Sequence, residues 1–395
     1  MKRILFALSL MAATTASFAQ VAKPMEDVNK VIDNTADSLN KAMTARIQPG
    51  TSRKGNNPVL FLIGNSTMRN GTLGNGNNGQ WGWGYYEHEF FDANKITVEN
   101  QALGGMSSRT FYNRLWPDVR KGIKAGDWVI ISIGHNDNGP YDSGRARASI
   151  PGIGKDSLNV TIRETGVKET VYTYGEYMRK YINDCKSLGA HPILMSLTPC
   201  DAYDENDKIV RVNKTFGLWA KQVAEQEHVP FVDLNEISAA KLDSYGHWKE
   251  KYHFFKDHIH TSRFGAMMNA RSAAEGLAES KDPNLAPLQA MMINVALPTE
   301  DFKREPGKPV VFFTGDSTVK NADKDEDGMW GWASQAYTIF NPKKITCVNA
   351  AKAGRSSRSY LNEGRWDKVY NSLQPGDYVL IEFGHNDICS LTDKK

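Results

Sequence analysis

The chain has 395 residues, enough for two or three domains at roughly 100–200 residues each. Its composition, 40% hydrophobic, 24% charged and 10% aromatic, is that of an ordinary globular protein and excludes a disordered chain, a collagen and a coiled coil. The formal charge is only +3, and Lys2 and Arg3 contribute to it from a segment that reads as removable, so nothing favours nucleic acid or an anionic membrane as a partner.

Residues 1–19 read as a secretory signal peptide. Lys2-Arg3 is the charged start, Ile4–Ala13 is an apolar run too short to span a bilayer, and Ser17-Phe18-Ala19 puts small residues at the cleavage positions. The cut is predicted before Gln20; a buried N-terminal helix is the alternative reading. No cysteine follows the cut, which argues against a lipid anchor, and no other run reaches about 18 apolar residues. The expectation is a secreted or periplasmic protein with no membrane insertion after cleavage. Residues 20–57 form a polar N-terminal extension with helical character at Asp27–Met43. Cys185, Cys200, Cys347 and Cys389 are too few for a disulfide scaffold, although export permits a bridge such as Cys185–Cys200.

From residue 58 the chain alternates strand and helix. Val59–Ile63, Ile96–Glu99, Trp128–Ile133, Ile193–Leu197 and Phe231–Leu234 are short apolar runs suited to buried parallel strands. Tyr174–Ser187, Asn213–Glu227 and Arg263–Ala278 have helical spacing. The pattern predicts a three-layer α/β/α fold, doubly wound around a five-stranded parallel sheet, over residues 58–280. Ligands bind such sheets beyond the carboxyl ends of the strands. Ser66, Gly105, Asn136 and Pro199 each fall just past a predicted strand and should meet on one rim.

A proline-rich linker, residues 281–308, leads into a repeat. Pro58-Val-Leu-Phe-Leu-Ile-Gly-Asn-Ser-Thr67 returns as Pro309-Val-Val-Phe-Phe-Thr-Gly-Asp-Ser-Thr318. Trp81-Gly-Trp83 returns as Trp330-Gly-Trp332, Gly105-Met-Ser-Ser-Arg109 as Gly354-Arg-Ser-Ser-Arg358, Gly126-Asp127 as Gly376-Asp377, and Gly134-His-Asn-Asp137 as Gly384-His-Asn-Asp387. Residues 309–395 therefore read as a second, incomplete copy, with strands expected at Val310–Phe313, Ile345–Val348 and Tyr378–Phe383. It is expected to be inactive: Ser317, Gly354 and Asn386 are present, but no histidine follows His385. Truncation of a longer gene product is the favoured reading of that incompleteness over docking of a half-domain.

The chemistry lies in the first copy. A serine at a strand-to-loop turn, as Ser66 is, can point its hydroxyl out of the rim, although any single such serine is more often a cap or turn residue. The Ser66 N–H, the Gly105 N–H and the Asn136 side chain can together form an oxyanion hole. A serine nucleophile needs a base, and the base an orienting acid. Asp257 and His260, three residues apart, supply that pair; His258 and His253 are competing bases. The His-x-His pair also raises a metal reading, but no third ligand cluster supports it, so no metal or cofactor is expected.

Together these blocks resemble the SGNH (GDSL-like) hydrolase superfamily. The resemblance maps the nucleophile onto Ser66, the oxyanion donors onto Ser66, Gly105 and Asn136, and the triad partners onto Asp257 and His260. Gly134-His135-Asn136-Asp137, Asp257-His-Ile-His-Thr261 and Glu169-Thr-Val-Tyr-Thr-Tyr174 look most like rhamnogalacturonan acetylesterases. Asn65 departs from the family, which has Asp there, as Asp316 does in the second copy. The implied reaction is removal of acetyl groups from a plant cell-wall polysaccharide without a cofactor. A general short-chain or lipid ester hydrolase, and a carbohydrate-binding protein with a decayed site, are the alternatives. Arg69, Trp81, Arg109, His135 and Arg263 are candidate substrate contacts, the arginines for uronate carboxylates. Asn70–Gly79 is a polar Gly/Asn loop that can line a sugar cleft, and at least one of Trp81 and Trp83 is expected to pack internally.

Overall fold

The computed structural model describes residues 41, 43–246, 250–251, 253–295, 302–320 and 330–388. The expected signal peptide and most of the N-terminal extension fall outside them, as does Cys389. Among the described residues no helix is long and apolar enough to cross a membrane.

The chain divides into two compact units: one built from the described residues up to Arg53, Val59–Tyr85 and Glu99–Ala270, the other from Lys54–Pro58, Tyr86–Val98 and the described residues from Arg271 onward. The first is organised by a five-stranded parallel sheet. Its strands are β1 (Val59–Gly64), β2 (Thr97–Asn100), β3 (Trp128–Ser132), β6 (His191–Met195) and β7 (Phe231–Val232), in the order β2-β1-β3-β6-β7. A separate antiparallel hairpin, β4 (Ser157–Thr161) with β5 (Lys168–Tyr172), supplies the two intervening numbers. β1 and β3 are buried along their whole length, as the runs of Val, Leu, Ile and Phe require of strands covered on both faces.

The helices are α1 (Ser108–Arg114), α2 (Trp116–Gly122), α3 (Tyr174–Ser187), α4 (Phe216–Glu227), α5 (Leu234–Tyr245) and α6 (Arg263–Glu279). Ser107 caps α1 through the Thr110 N–H, Thr173 caps α3 through Glu176, and Asp233 caps α5 through Glu236. One face of α3 brings Tyr174, Tyr177, Met178, Tyr181 and Ile182 into a core shared with Phe61, Ile63, Val129 and Ile131. Trp116 and Tyr112 meet Tyr181 edge-to-face with ring centroids 5.0 and 5.1 Å apart. Cys185 is buried in the same core, and neither it nor Cys200 is bridged. The sequence did not announce the hairpin, whose outer residues are polar, or α5.

Asp127 ties the amino ends of the strands together. Its fully buried carboxylate accepts from the Val59 N–H opening β1 (2.9 Å), from the Lys124 N–H (2.7 Å) and from both terminal nitrogens of Arg53 (2.7 and 2.6 Å). Its carbonyl accepts from the His191 N–H that begins β6 (2.8 Å).

In the second unit a three-stranded parallel sheet runs β9-β8-β10, with β8 (Val310–Gly315) between β9 (Thr346–Asn349) and β10 (Tyr378–Glu382). That order repeats β2-β1-β3. The anchoring carboxylate recurs as well, since Asp377 accepts from the Val310 and Gln374 N–H groups (both 2.8 Å) and from Arg304. β10 is an edge strand, with Tyr378, Leu380 and Ile381 exposed.

Asp127→Ala leaves the Arg53 guanidinium, the Val59 N–H that opens β1 and the Lys124 N–H without their acceptor. It should cost about 3–5 kcal/mol of unfolding free energy, the range for breaking a buried ion pair from one side. Urea unfolding of the variant measures this, and a loss within the error of the extrapolation contradicts the anchoring role.

Candidate active site

β1 ends at Gly64, and the chain turns at once. The Asn65 carbonyl accepts from the Met68 and Arg69 N–H groups, and its side-chain oxygen accepts from the Thr67 N–H and hydroxyl, both at 3.0 Å. This turn leaves Ser66 partly exposed at the rim while its neighbours are buried. Asp316 makes the same two bonds to Thr318, so the amide at position 65 preserves the turn. The Asn65 amide nitrogen is buried without a partner.

Ser66 Oγ lies 2.8 Å from His260 Nε2. His260 Nδ1 lies 2.7 Å from Asp257 Oδ2. The four-residue turn that carries the pair is closed by the same carboxylate, which accepts from the His260 N–H (2.7 Å) and the Ile259 N–H (2.9 Å) through Oδ1. Burial alone would raise the Asp257 carboxyl. The bonds from His260 and Ile259 outweigh it and hold the group below its usual value. Gln80 donates to Asp257 Oδ2 at 3.1 Å, and Trp81 pairs with Thr261 through Trp81 N–H to Thr261 O (2.9 Å) and Thr261 Oγ1 to Trp81 O (2.8 Å). Trp81, considered from sequence as a sugar platform, thus contributes its backbone to holding the histidine turn. Trp83 is fully buried and packs internally.

The other rim residues converge as well. Gly105 has φ +80°, a left-handed conformation that glycine adopts at no steric cost. A Cβ built on its neighbour Gly104 would stand 3.6 Å from Ser66 Cβ, so this turn lies against the serine. Asn136 donates one amide hydrogen to the Met106 carbonyl at 3.0 Å, which aligns the third loop with the second and leaves its other hydrogen available. The N–H groups of Ser66 and Gly105 make no hydrogen bond among the described residues.

The competing histidines stand elsewhere. His258 is exposed, and His253 is buried, stacked on Tyr245 with centroids 5.0 Å apart. His135 is turned inward: its Nε2–H donates to the Thr198 carbonyl at 3.1 Å, while Nδ1 is buried without a partner. Burial lowers its pKa to about 4, aided by His260. Asp137, beside it, is buried and pushed up to about 6 even though Ser108 and Ser149 donate to it.

The candidate substrate arginines divide. Arg109 is fully buried, grips Glu169 at 2.7 and 2.9 Å and donates to the carbonyls of Tyr141 and Ala148, leaving no free face for a ligand. Arg69 is buried under the Gly/Asn loop and donates to the Thr72 carbonyl at 2.7 Å. Arg263 is exposed. Residues that the motifs did not single out are Gln80, which orients the acid, and Arg147, which donates to the Gly105 carbonyl at 3.2 Å. Only their closeness in sequence to Trp81 and to the Gly-His-Asn-Asp block hinted at them. Among the described residues no group of three His, Cys, Asp or Glu side chains is placed to hold a metal ion.

A serine, histidine and aspartate in one hydrogen-bonded line, beside unpaired N–H donors, is the apparatus of ester hydrolysis. The GDSL-like lipase/acylhydrolase model matches residues 60–270, more than half of the chain. The chain belongs to that family. It is a carboxylic ester hydrolase of the SGNH type. It is 28% identical over 213 residues to a rhamnogalacturonan acetylesterase of Emericella nidulans, covering 54% of this chain and 81% of that one. It is 31% identical over 228 residues to the probable rhamnogalacturonan acetylesterase YesY of Bacillus subtilis, covering 56% and 92%. A solved acetylxylan esterase, Axe2 of Geobacillus stearothermophilus, is 24% identical with a TM-score of 0.38, over 55% of this chain and 93% of that one.

His135 gives this esterase a pH signature separate from turnover. The folded state keeps the ring neutral down to about pH 4, whereas an unfolded chain protonates it near 6.5. Between those values the unfolded state binds the extra proton, so the His135 contribution is fully present above pH 6.5 and is lost as pH falls toward 4. His135→Asn should therefore show a shallower loss of stability than the parent across that window, read from urea midpoints. Identical slopes contradict a buried neutral ring.

Proposed function

We propose that the chain is an exported serine acetylesterase acting on a plant cell-wall polysaccharide, with acetylated pectic rhamnogalacturonan its preferred substrate. The observation that carries the reading is the unbroken line Asp257–His260–Ser66 set against free N–H groups of Ser66 and Gly105. The two similar proteins named as rhamnogalacturonan acetylesterases support the substrate class.

Ser66 Oγ attacks the acetyl carbonyl as His260 Nε2 takes its proton. Asp257 keeps Nδ1 protonated and stabilises the imidazolium that forms. The oxyanion of the tetrahedral intermediate is held by the Ser66 and Gly105 N–H groups and the second Asn136 amide hydrogen; such a donor is worth about 2.7–4 kcal/mol of barrier. Collapse breaks the ester C–O bond, His260 gives its proton to the departing sugar hydroxyl, and an acetyl group remains on Ser66. Water, activated by the same histidine, attacks that acetyl carbonyl and releases acetate. The Ser317, Gly354 and Asn386 set takes no part. Signal cleavage before Gln20 exports the enzyme to its polymeric substrate.

Ser66→Ala and His260→Ala should each reduce acetate release by roughly 10³-fold or more, because the two act as a unit. Ser317→Ala should leave it unchanged. With acetylated rhamnogalacturonan, acetylated xylan and p-nitrophenyl esters compared side by side, the rhamnogalacturonan should give the highest kcat/KM. Preference for long-chain p-nitrophenyl esters with no acetate from either polysaccharide overturns the reading.

A further inference from the structure

Three arginines that the catalytic reading does not use surround one cavity. Arg114 closes α1, and Arg145 and Arg147 flank Ala146 in the loop that follows the Gly-His-Asn-Asp block. The cavity, of about 260 Å³, is lined by these three together with Gly104, Gly105 and Met106. Its wall is thus the turn that lies against Ser66 Cβ and carries the free Gly105 N–H. The cavity and Ser66 therefore share one turn.

The charge in this cavity is largely unneutralised. Arg114 and Arg145 are exposed, and their side chains make no hydrogen bond or ion pair with any described residue. Arg147 is half-buried and fixed by its bond to the Gly105 carbonyl. Asp137 acts on Arg147 at a distance while bonded to Ser108 and Ser149, whereas Asp142 is paired with Arg163 and the Glu164 carboxylate accepts from the Gly144 N–H, so none of these acids bonds Arg114 or Arg145. Burial and then the neighbouring Arg145 depress the Arg147 pKa, and the attraction of Asp137 does not offset them. Ala146 is buried with φ +42°, a conformation that a residue with a Cβ adopts rarely. Such backbone persists where the surroundings enforce it and clusters at binding sites.

We propose that this cavity is an anion subsite, which seats a uronic acid carboxylate of the substrate while an acetyl group on the same or the adjoining sugar lies at Ser66. The proposal rests on the polysaccharide reading above and narrows it to acidic chains. A guanidinium presents planar paired donors that match a carboxylate, and a cavity walled by the turn that lies against Ser66 favours a charge carried by the substrate itself over a separate effector.

The test pairs two forms of one acetylated oligogalacturonide, with free carboxylates and with the carboxylates methyl-esterified, against the parent chain and Arg114→Gln/Arg145→Gln. Both side chains are exposed, and Arg147, which braces the oxyanion turn, is kept. The parent should favour the free acid by about tenfold in kcat/KM at low salt, through KM, as charge-assisted hydrogen bonds predict. Added salt should erode the preference, and the double variant should lose it. An equal preference in parent and variant overturns the subsite while leaving the acetylesterase reading intact. Calorimetry with the non-acetylated oligogalacturonide needs no turnover. Binding about tenfold weaker in the variant supports the subsite even if neither acetylated form is hydrolysed, and the polysaccharide reading is then judged by the rhamnogalacturonan and xylan comparison. Equal binding in parent and variant overturns the subsite.

Discussion

The parallel register of β1 and β3 is the constraint on which the site depends. Gly64 sits opposite Ser132, so the loops carrying Ser66 and Asn136 leave the sheet at the same level. Asp127 fixes that register from the other end, by bonding the first N–H of β1 and offering its own carbonyl to the first N–H of β6. A parallel sheet anchored at its amino ends delivers every carboxyl-end loop to one rim. The serine, the glycine turn and the asparagine therefore meet without any contact between them in sequence. The histidine turn arrives from almost 200 residues further on and is clamped by Trp81 and Thr261.

Most of this architecture was legible in the sequence, because buried parallel strands must be continuous apolar runs. Val59–Ile63 and Trp128–Ile133 could be read as such, and Tyr174–Ser187 coincides with α3 in both bounds. The hairpin was not legible. Ser157–Thr161 is almost wholly exposed, and its period-two signal is carried by polar residues that burial does not select. Asp257 and His260 were legible because a three-residue separation is what a single turn needs. Their support was not: Gln80 reaches Asp257 across 177 positions, a pairing no local pattern encodes.

The arginines show the same limit from the other side. Proximity to a motif made Arg69 and Arg109 look like ligands for a uronate. Arg109 instead spends its fork on Glu169 and Arg69 supports the loop above it. The cavity cations without a side-chain partner among the described residues are Arg114 and Arg145, at a helix end and in a loop, where sequence gives a charged residue no distinguishing mark. The three-stranded sheet of the second unit adds an internal comparison. Asp377 reproduces the strand anchor of Asp127, and Asp316 reproduces the Asn65 turn, so these two features belong to the sheet and its first turn. The proposed catalysis requires in addition the Asp257–His260 turn.

The account places one reactive serine in the chain, and covalent labelling tests this most directly. Diethyl p-nitrophenyl phosphate reacts with a serine only when a neighbouring base activates it, and peptide mapping locates the adduct. The account predicts a stoichiometric adduct on Ser66, none on Ser317, and loss of hydrolysis in step with labelling. An adduct on Ser317 or another residue, or full activity retained after Ser66 is labelled, would contradict it.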